Sequence, residues 1–364
     1  MALTIAAICA MLGAALPDAL AHNGGSLGGV SVANVPTVPN VPNVPTVPNV
    51  PDEQTVPIVP NVALRVVSRN APEAGNGLLT TASRVDIEVA HGPVALIHGW
   101  WWQTDSPGPA SRPVVMLLHG CGGMLNRKGQ PDARTLRYAA LLLERGWHVL
   151  AVDSFSARGT RQICTRRRDE LPAVDQTMRR DDVTAAISWL GRQDRADPSR
   201  IALVGWSNGG STVLEYTHQP QKFRAVEQGS LGGAQATGAV APGSIPVVAP
   251  GLRLAAAFYP GCASRLRRGY EPALPVLLLL GLSDDWTPAQ PCLELASQHV
   301  TVHGWEQAYH GFDGDAPLRF RTDIRTGIRP EGVHHGSNPA AGERARSILL
   351  AALERALSTT ALNP

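Results

Sequence analysis

Gly205-Trp206-Ser207-Asn208-Gly209 follows the apolar run IALVGW and precedes a segment able to begin a helix. A G-x-S-x-G in that setting is a nucleophile elbow: the glycines relieve crowding and the turn lifts the serine hydroxyl above the sheet. The same pattern recurs at Gly24–Gly28, but no strand precedes it, so Ser26 is set aside. A serine hydroxyl attacks a carbonyl only when a base takes its proton and an acid orients that base. The chain order that accompanies the elbow is Ser, then acid, then His. Acid candidates stand after the run PVLLLLG, in Gly281-Leu-Ser-Asp284-Asp285-Trp286-Thr-Pro288, and His310 stands after VTVHGWE. Either aspartate can orient His310 while the other caps the following turn; residue chemistry does not separate them.

The negative oxygen created by such an attack needs backbone N–H groups aimed at it. Asn208, next after the serine, supplies one. The loop after PVVMLLH reads His119-Gly120-Cys121-Gly122-Gly123, and the flanking glycines let Cys121 N–H supply the second. That loop lacks the Lys-Ser/Thr of a P-loop and the spacing of a dinucleotide fingerprint, so no nucleotide cofactor is expected. His303 lies in a strand-like run and reads as packing; His334 and His335 lie in a polar stretch and read as solvated. No spaced His/Cys set accompanies them, and no metal is expected. Ser154, Arg158 and Arg161 follow the run WHVLAVD, and an arginine there could grip a substrate carboxylate bidentately. Arg158, Trp206 and Trp286 are the candidate substrate contacts. Arg166-Arg167-Arg168 reads as an exposed face, and 219–252, rich in Gly, Ala and Pro, is long enough for part of a lid.

These positions need a scaffold that brings the ends of several strands together. RVDIEVA (84–90) and VALIHGWWW (94–102), with VALRVV (62–67) before them, read as an opening antiparallel meander. PVVMLLH, WHVLAVD, IALVGW, LAAAFY, PVLLLLG and VTVHGWE follow, several of them apolar on both faces, as strands buried inside a parallel sheet are. Between them, 132–145, 178–192 and 209–218 carry helical periodicity, and AAGERARSILLAALERAL closes the pattern as an amphipathic helix. The expectation is one α/β domain, residues 62–364, with a mostly parallel sheet and helices on both faces.

Ahead of that domain, residues 1–16 form an uncharged apolar run, and Ala19-Leu20-Ala21 offers small residues for a signal peptidase. The run is shorter than a bilayer span of roughly 20 residues, so export with cleavage near Ala21 is expected, without a stable membrane anchor afterwards. Residues 22–61 lead to the domain and repeat a Val-Pro step from 34 onward, which only an extended or disordered tether accommodates. Acidic and basic residues number 30 and 32, a balance that excludes a surface built for nucleic acid.

A periplasmic or secreted location would oxidise the four cysteines that remain after cleavage. Cys262 and Cys292 follow consecutive strands, as do Cys121 and Cys164. Consecutive parallel strands end at one edge of the sheet, which favours the pairings Cys262–Cys292 and Cys121–Cys164.

Taken together, LLHGCGG (117–123), AVDSFSARG (151–159), GWSNGGS (205–211), YPGC (259–262), GLSDDWTPAQPC (281–292) and YHGFD (309–313) resemble the dienelactone hydrolase family of α/β-hydrolases. The resemblance is to its exported, serine-bearing branch, covers roughly 85–358, and extends to the tail segment 319–341. It implies the α/β-hydrolase fold, and its G-x-x-D-x-x-x-P pattern selects Asp284 over Asp285. The enzyme that named the family uses a cysteine nucleophile where this chain has Ser207, so the resemblance implies cleavage of small esters or lactones in general. Two other readings compete. An exported polyester hydrolase would also carry a stalk and a Trp before its serine, but would favour an aromatic cleft that 5% aromatic residues barely supply. A hydrolase fold retained only for binding would not require nucleophile, acid, base and hole together.

Overall fold

Strands apolar on both faces demand cover on both faces, and the topology provides it. The computed structural model describes residues 81–90, 92–165, 174–219 and 248–358, all within the unit Val67–Pro364. The segments 1–21 and 22–61, the run VALRVV, Arg166 to Arg168 and most of 219–252 lie outside the described residues.

The strands are β1 (Ser83–Glu88), β2 (Leu96–Trp102), β3 (Arg112–Leu118), β4 (His148–Asp153), β5 (Ala196–Trp206), β6 (Leu252–Phe258), β7 (Val276–Gly281) and β8 (Val300–Trp305). They form an eight-stranded sheet in the order β1-β2-β4-β3-β5-β6-β7-β8. β1–β2 and β2–β4 pair antiparallel, and the other neighbours pair parallel. A short hairpin, β9 (Arg319–Arg321) with β10 (Val333–His335), stands apart.

Side chains of a strand alternate between faces, and the two cores follow that alternation. On β3, Val114, Met116 and Leu118 join one core; Val115 and Leu117 join the other. The first core is closed by helices α2 (Gln176–Leu190) and α3 (Asn208–Thr217), through Val183, Ala186, Leu190, Val213 and Leu214. The second is closed by α1 (Ala133–Leu143) and by α6 (Pro339–Leu357), through Tyr138, Leu142, Ala345, Leu349 and Leu353. Asp132, Asp175 and Asn338 cap α1, α2 and α6 by accepting backbone N–H bonds in the first turn. Two short helices, α4 (Ala263–Arg267) and α5 (Gln290–Leu293), follow β6 and β7.

The chain leaves β3 for β4 on one side and returns to β5 on the other. That reversal opens a crevice at the carboxyl ends of β3 and β5, where open α/β sheets bind ligands. Cys121–Cys164 and Cys262–Cys292 are disulfides, with Cα separations of 4.9 and 5.1 Å. Each joins loops that leave sequence-consecutive neighbouring strands, and two such bridges fit an oxidising compartment.

Candidate active site

Ser207 sits between β5 and α3 at φ 53° and ψ −115°, a conformation unfavourable for a residue with a side chain. The turn is tight enough that neighbouring positions tolerate no Cβ. One on Gly205 would stand 2.3 Å from Gly209 O, and one on Gly209 would stand 2.2 Å from Leu118 O. Both glycines of G-x-S-x-G are therefore steric necessities. Ser207 N–H donates to Phe258 O at 2.9 Å, fixing the elbow to the end of β6.

His310 Nε2 lies 2.8 Å from Ser207 Oγ, and His310 Nδ1 lies 2.8 Å from Asp284 Oδ2. Because a carboxylate only accepts, Nδ1 carries the proton and Nε2 is left to accept from the serine hydroxyl. Asp284 is nearly buried, and its other oxygen accepts from Trp286 N–H and Thr287 N–H, each at 2.9 Å. It orients the histidine and caps the turn at once. Asp285 turns away, accepting from His334 N–H at 2.8 Å and facing His334 Nδ1 at 2.7 Å.

The loop after β3 lies against the elbow: a Cβ on Gly120 would be 3.5 Å from Ser207 Cβ. Cys121 O accepts from Ile163 N–H at 2.8 Å, and the Cys121–Cys164 bridge makes a second tie to that segment. Gly123, at φ +80°, packs so closely on Arg161 O that a Cβ would come within 2.1 Å of it. Asn208 opens α3, so its N–H belongs to the first-turn amides without an intrahelical acceptor. A cavity of about 270 Å³ lies over these residues, lined by Ser207, His310, Cys121, Trp286, Arg134 and His335 among others.

One substrate contact expected from the sequence is corrected. The Arg158 side chain is buried and both terminal nitrogens of its fork hold Asp182, at 2.9 and 2.7 Å, so it is not placed to grip a substrate carboxylate. Trp206 lines the cavity, with its indole N–H donating to Asp313 Oδ2 at 2.9 Å and its ring stacked on Phe258. Trp286 does face the cavity, 4.5 Å from the His310 ring. Arg161 reaches Asn126 O instead of the cavity. His334 and His335 belong to β10 and not to a loop; the His334 side chain remains partly exposed, whereas His335 pairs alongside His310. Burial first, and the neighbouring His310 second, push the His335 pKa down to about 4.

Asp313 escaped the sequence reading. Fully buried, it accepts from Tyr138 OH at 2.9 Å, Tyr259 OH at 2.6 Å and Trp206 Nε1–H at 2.9 Å. It thereby ties the loop of His310 to the residue preceding Ser207. Burial works to raise its pKa, but the Arg134 guanidinium and these three donors hold it below the usual carboxylate value. Its place three residues after His310 was the available signal; its donors lie far away in sequence.

The prolyl oligopeptidase family model matches residues 136–230, a stretch that includes Ser207. A protein of Klebsiella pneumoniae described as a dienelactone hydrolase superposes with a TM-score of 0.50 at 14% identity, covering 75% of this chain and 99% of that one. A dienelactone-hydrolase-like promiscuous phosphotriesterase from metagenomic libraries gives 0.47 at 18% identity, covering 76% and 100%. An esterase of Thermogutta terrifontis gives 0.48 at 16% identity, covering 78% and 96%. The Klebsiella superposition and the sheet order together identify the fold as that of the α/β-hydrolases.

Proposed function

We propose that this α/β-hydrolase-fold chain is a serine hydrolase that cleaves small carboxylic esters or lactones through an acyl-enzyme. The observation that carries the reading is the continuous set of hydrogen bonds Ser207–His310–Asp284 at the floor of a cavity. His310 Nε2 takes the proton as Ser207 Oγ bonds to the carbonyl carbon. The Cys121 and Asn208 amides receive the oxyanion. Collapse of the tetrahedral adduct breaks the ester C–O bond, and His310 returns the proton to the departing alkoxide. Water then attacks the acyl-serine by the same route, releasing the acid.

The size of the cavity supports small substrates. At about 270 Å³ it falls near the lower limit for ligand pockets. The dienelactone-hydrolase resemblance supports ester or lactone cleavage over peptide cleavage, and peptides form one arm of the test. Two disulfides support assigning the protein to the periplasm or the exterior, after loss of residues 1–21.

The test is hydrolysis of p-nitrophenyl acetate, small lactones, a polyester film and chromogenic peptides by the purified protein and by Ser207→Ala. Turnover of the acetate or a lactone, lowered by a factor on the order of 10⁴ or more in Ser207→Ala, is the expected outcome. Full turnover by that variant would remove Ser207 from the mechanism, and no turnover by the parent would leave a binding protein.

A further inference from the structure

Arg179, on α2, is 1% exposed, and the carboxylates that support its charge, Asp182 and Asp153, do not bond to it directly. One terminal nitrogen donates to Asn208 Oδ1 at 2.5 Å; the other donates to His119 O at 2.8 Å. Both acceptors are neutral. Those carboxylates spend their hydrogen bonds elsewhere: Asp182 on the fork of Arg158, and Asp153 on Phe155 N–H, Ser156 N–H and the Ser156 hydroxyl. Arg179 makes no ion pair among the described residues. Taking a cation out of water is costly, and this one gives its hydrogen bonds to two neutral oxygens and not to the carboxylates that balance its charge. Sites that break a rule of folding in this way are commonly functional.

We propose that Arg179 is the positioning residue of the oxyanion hole. Its guanidinium couples the loop bearing Cys121 to the helix start bearing Asn208, and keeps a positive charge behind both donors. The proposal rests on the serine-hydrolase reading above. Its physical basis is that an oxyanion hole works by being in place before the charge develops. Here the two donors come from different segments, the end of β3 and the start of α3. A single rigid fork spanning His119 O and Asn208 Oδ1 fixes their separation, which a lysine's point charge could not do.

The surroundings lock the fork in turn. Arg179 lies over the Phe155 ring, 5.3 Å from its centroid, and Phe155 meets the His119 ring edge-on at 4.4 Å. His119 Nδ1–H donates to Gly120 O at 2.8 Å while Nε2 accepts from Ser154 N–H at 3.2 Å, so the imidazole is neutral and sets the course of the loop. Gln176, one turn before Arg179, donates to Asn208 O at 3.3 Å and accepts from the Thr212 hydroxyl at 2.7 Å. Burial pushes the Arg179 pKa down to about 10, which leaves it charged at neutral pH.

The experiment compares the parent protein, Ser207→Ala, Arg179→Met and Arg179→Lys on p-nitrophenyl acetate, with rates normalised to sites titrated by a fluorophosphonate, or to protein concentration for Ser207→Ala, which has no site to titrate. The parent must turn over and Ser207→Ala must not; failure of either overturns the serine-hydrolase reading and this proposal with it. In Arg179→Met, kcat per titrated site falls about 10²-fold, the scale of losing one oxyanion donor, while KM changes little. Affinity for phenylboronic acid, which forms a tetrahedral adduct on Ser207, falls by a similar factor. Arg179→Lys keeps the charge but cannot span both acceptors, so it loses less, and it carries the same readouts should Arg179→Met not fold. A purely structural role would lower the melting temperature and the titratable fraction but leave kcat per site and boronate affinity near parental values. That result, or a loss confined to KM, overturns the proposal.

Discussion

Asp285 grips His334 with both carboxylate oxygens, while its immediate neighbour Asp284 holds His310. Two adjacent aspartates thus serve two histidines on different segments, and the chemistry of the proposed triad runs through only one of them. Asp284→Asn removes the acceptor that sets the His310 tautomer, and kcat for ester hydrolysis should fall on the order of 10⁴-fold. Asp285→Asn loosens the hairpin and should cost less than about tenfold, mostly in KM. Equal losses in the two variants would contradict the assignment.

The two disulfides should separate stability from activity. Replacing Cys262 and Cys292 together by serine should lower unfolding free energy by about 2–5 kcal/mol while leaving kcat of the folded protein close to the parent's. The Cys121–Cys164 pair borders the cavity, so its loss should also lower kcat, by about 10- to 100-fold, as the donor at Cys121 drifts. Urea unfolding and ester turnover on the two double variants provide the comparison; an unchanged kcat in the second would uncouple the bridge from catalysis.

Acid should destabilise the fold well above the carboxylate range. Burial first, and the Arg179 charge second, hold the His119 pKa down to about 3 against an ordinary 6.5, partly opposed by Asp153. Below pH 6.5 the unfolded chain therefore binds protons that the folded chain refuses. The stability contributed by neutral His119 is complete above that pH, declines as pH falls, and is exhausted near pH 3. His335, depressed to about 4, acts in the same direction. The urea midpoint should decline steadily from about pH 7 to pH 4, and His119→Gln should flatten the slope. A midpoint constant over that range would refute the account.

Asp313→Asn tests the buried carboxylate. An amide must turn its NH₂ toward hydroxyl or indole donors that need an acceptor, and Arg134, 3.6 Å away, loses its counter-charge. Removing one partner of a buried charge pair costs about 3–5 kcal/mol, to be read from urea unfolding. Because the native pKa of Asp313 is depressed, its contribution is present at neutral pH and is lost as pH falls below the ordinary carboxylate value of 3.8. A variant as stable as the parent would show that the hydroxyl and indole donors find partners elsewhere.

Much of this architecture is written in local patterns. Apolar runs such as VLLLLG name strands covered on both faces because both faces of a buried sheet exclude water. Gly205 and Gly209 mark the elbow because no side chain fits there, and the order Ser207, Asp284, His310 follows from the order of the strands that carry them. Long-range polar partnership is a different matter. Arg158 looked available until α2 brought Asp182 into its fork, 24 residues further on. Asp313 looked ordinary until Tyr138, Trp206 and Tyr259 converged on it from 175, 107 and 54 residues away. His334 and His335 looked like loop residues until pairing with β9 set them beside Asp285 and His310. Periodicity and steric demand act between neighbours in the chain and can be read there. A buried charge takes whichever partner packing delivers, and only the folded arrangement of strands and helices decides which one that is.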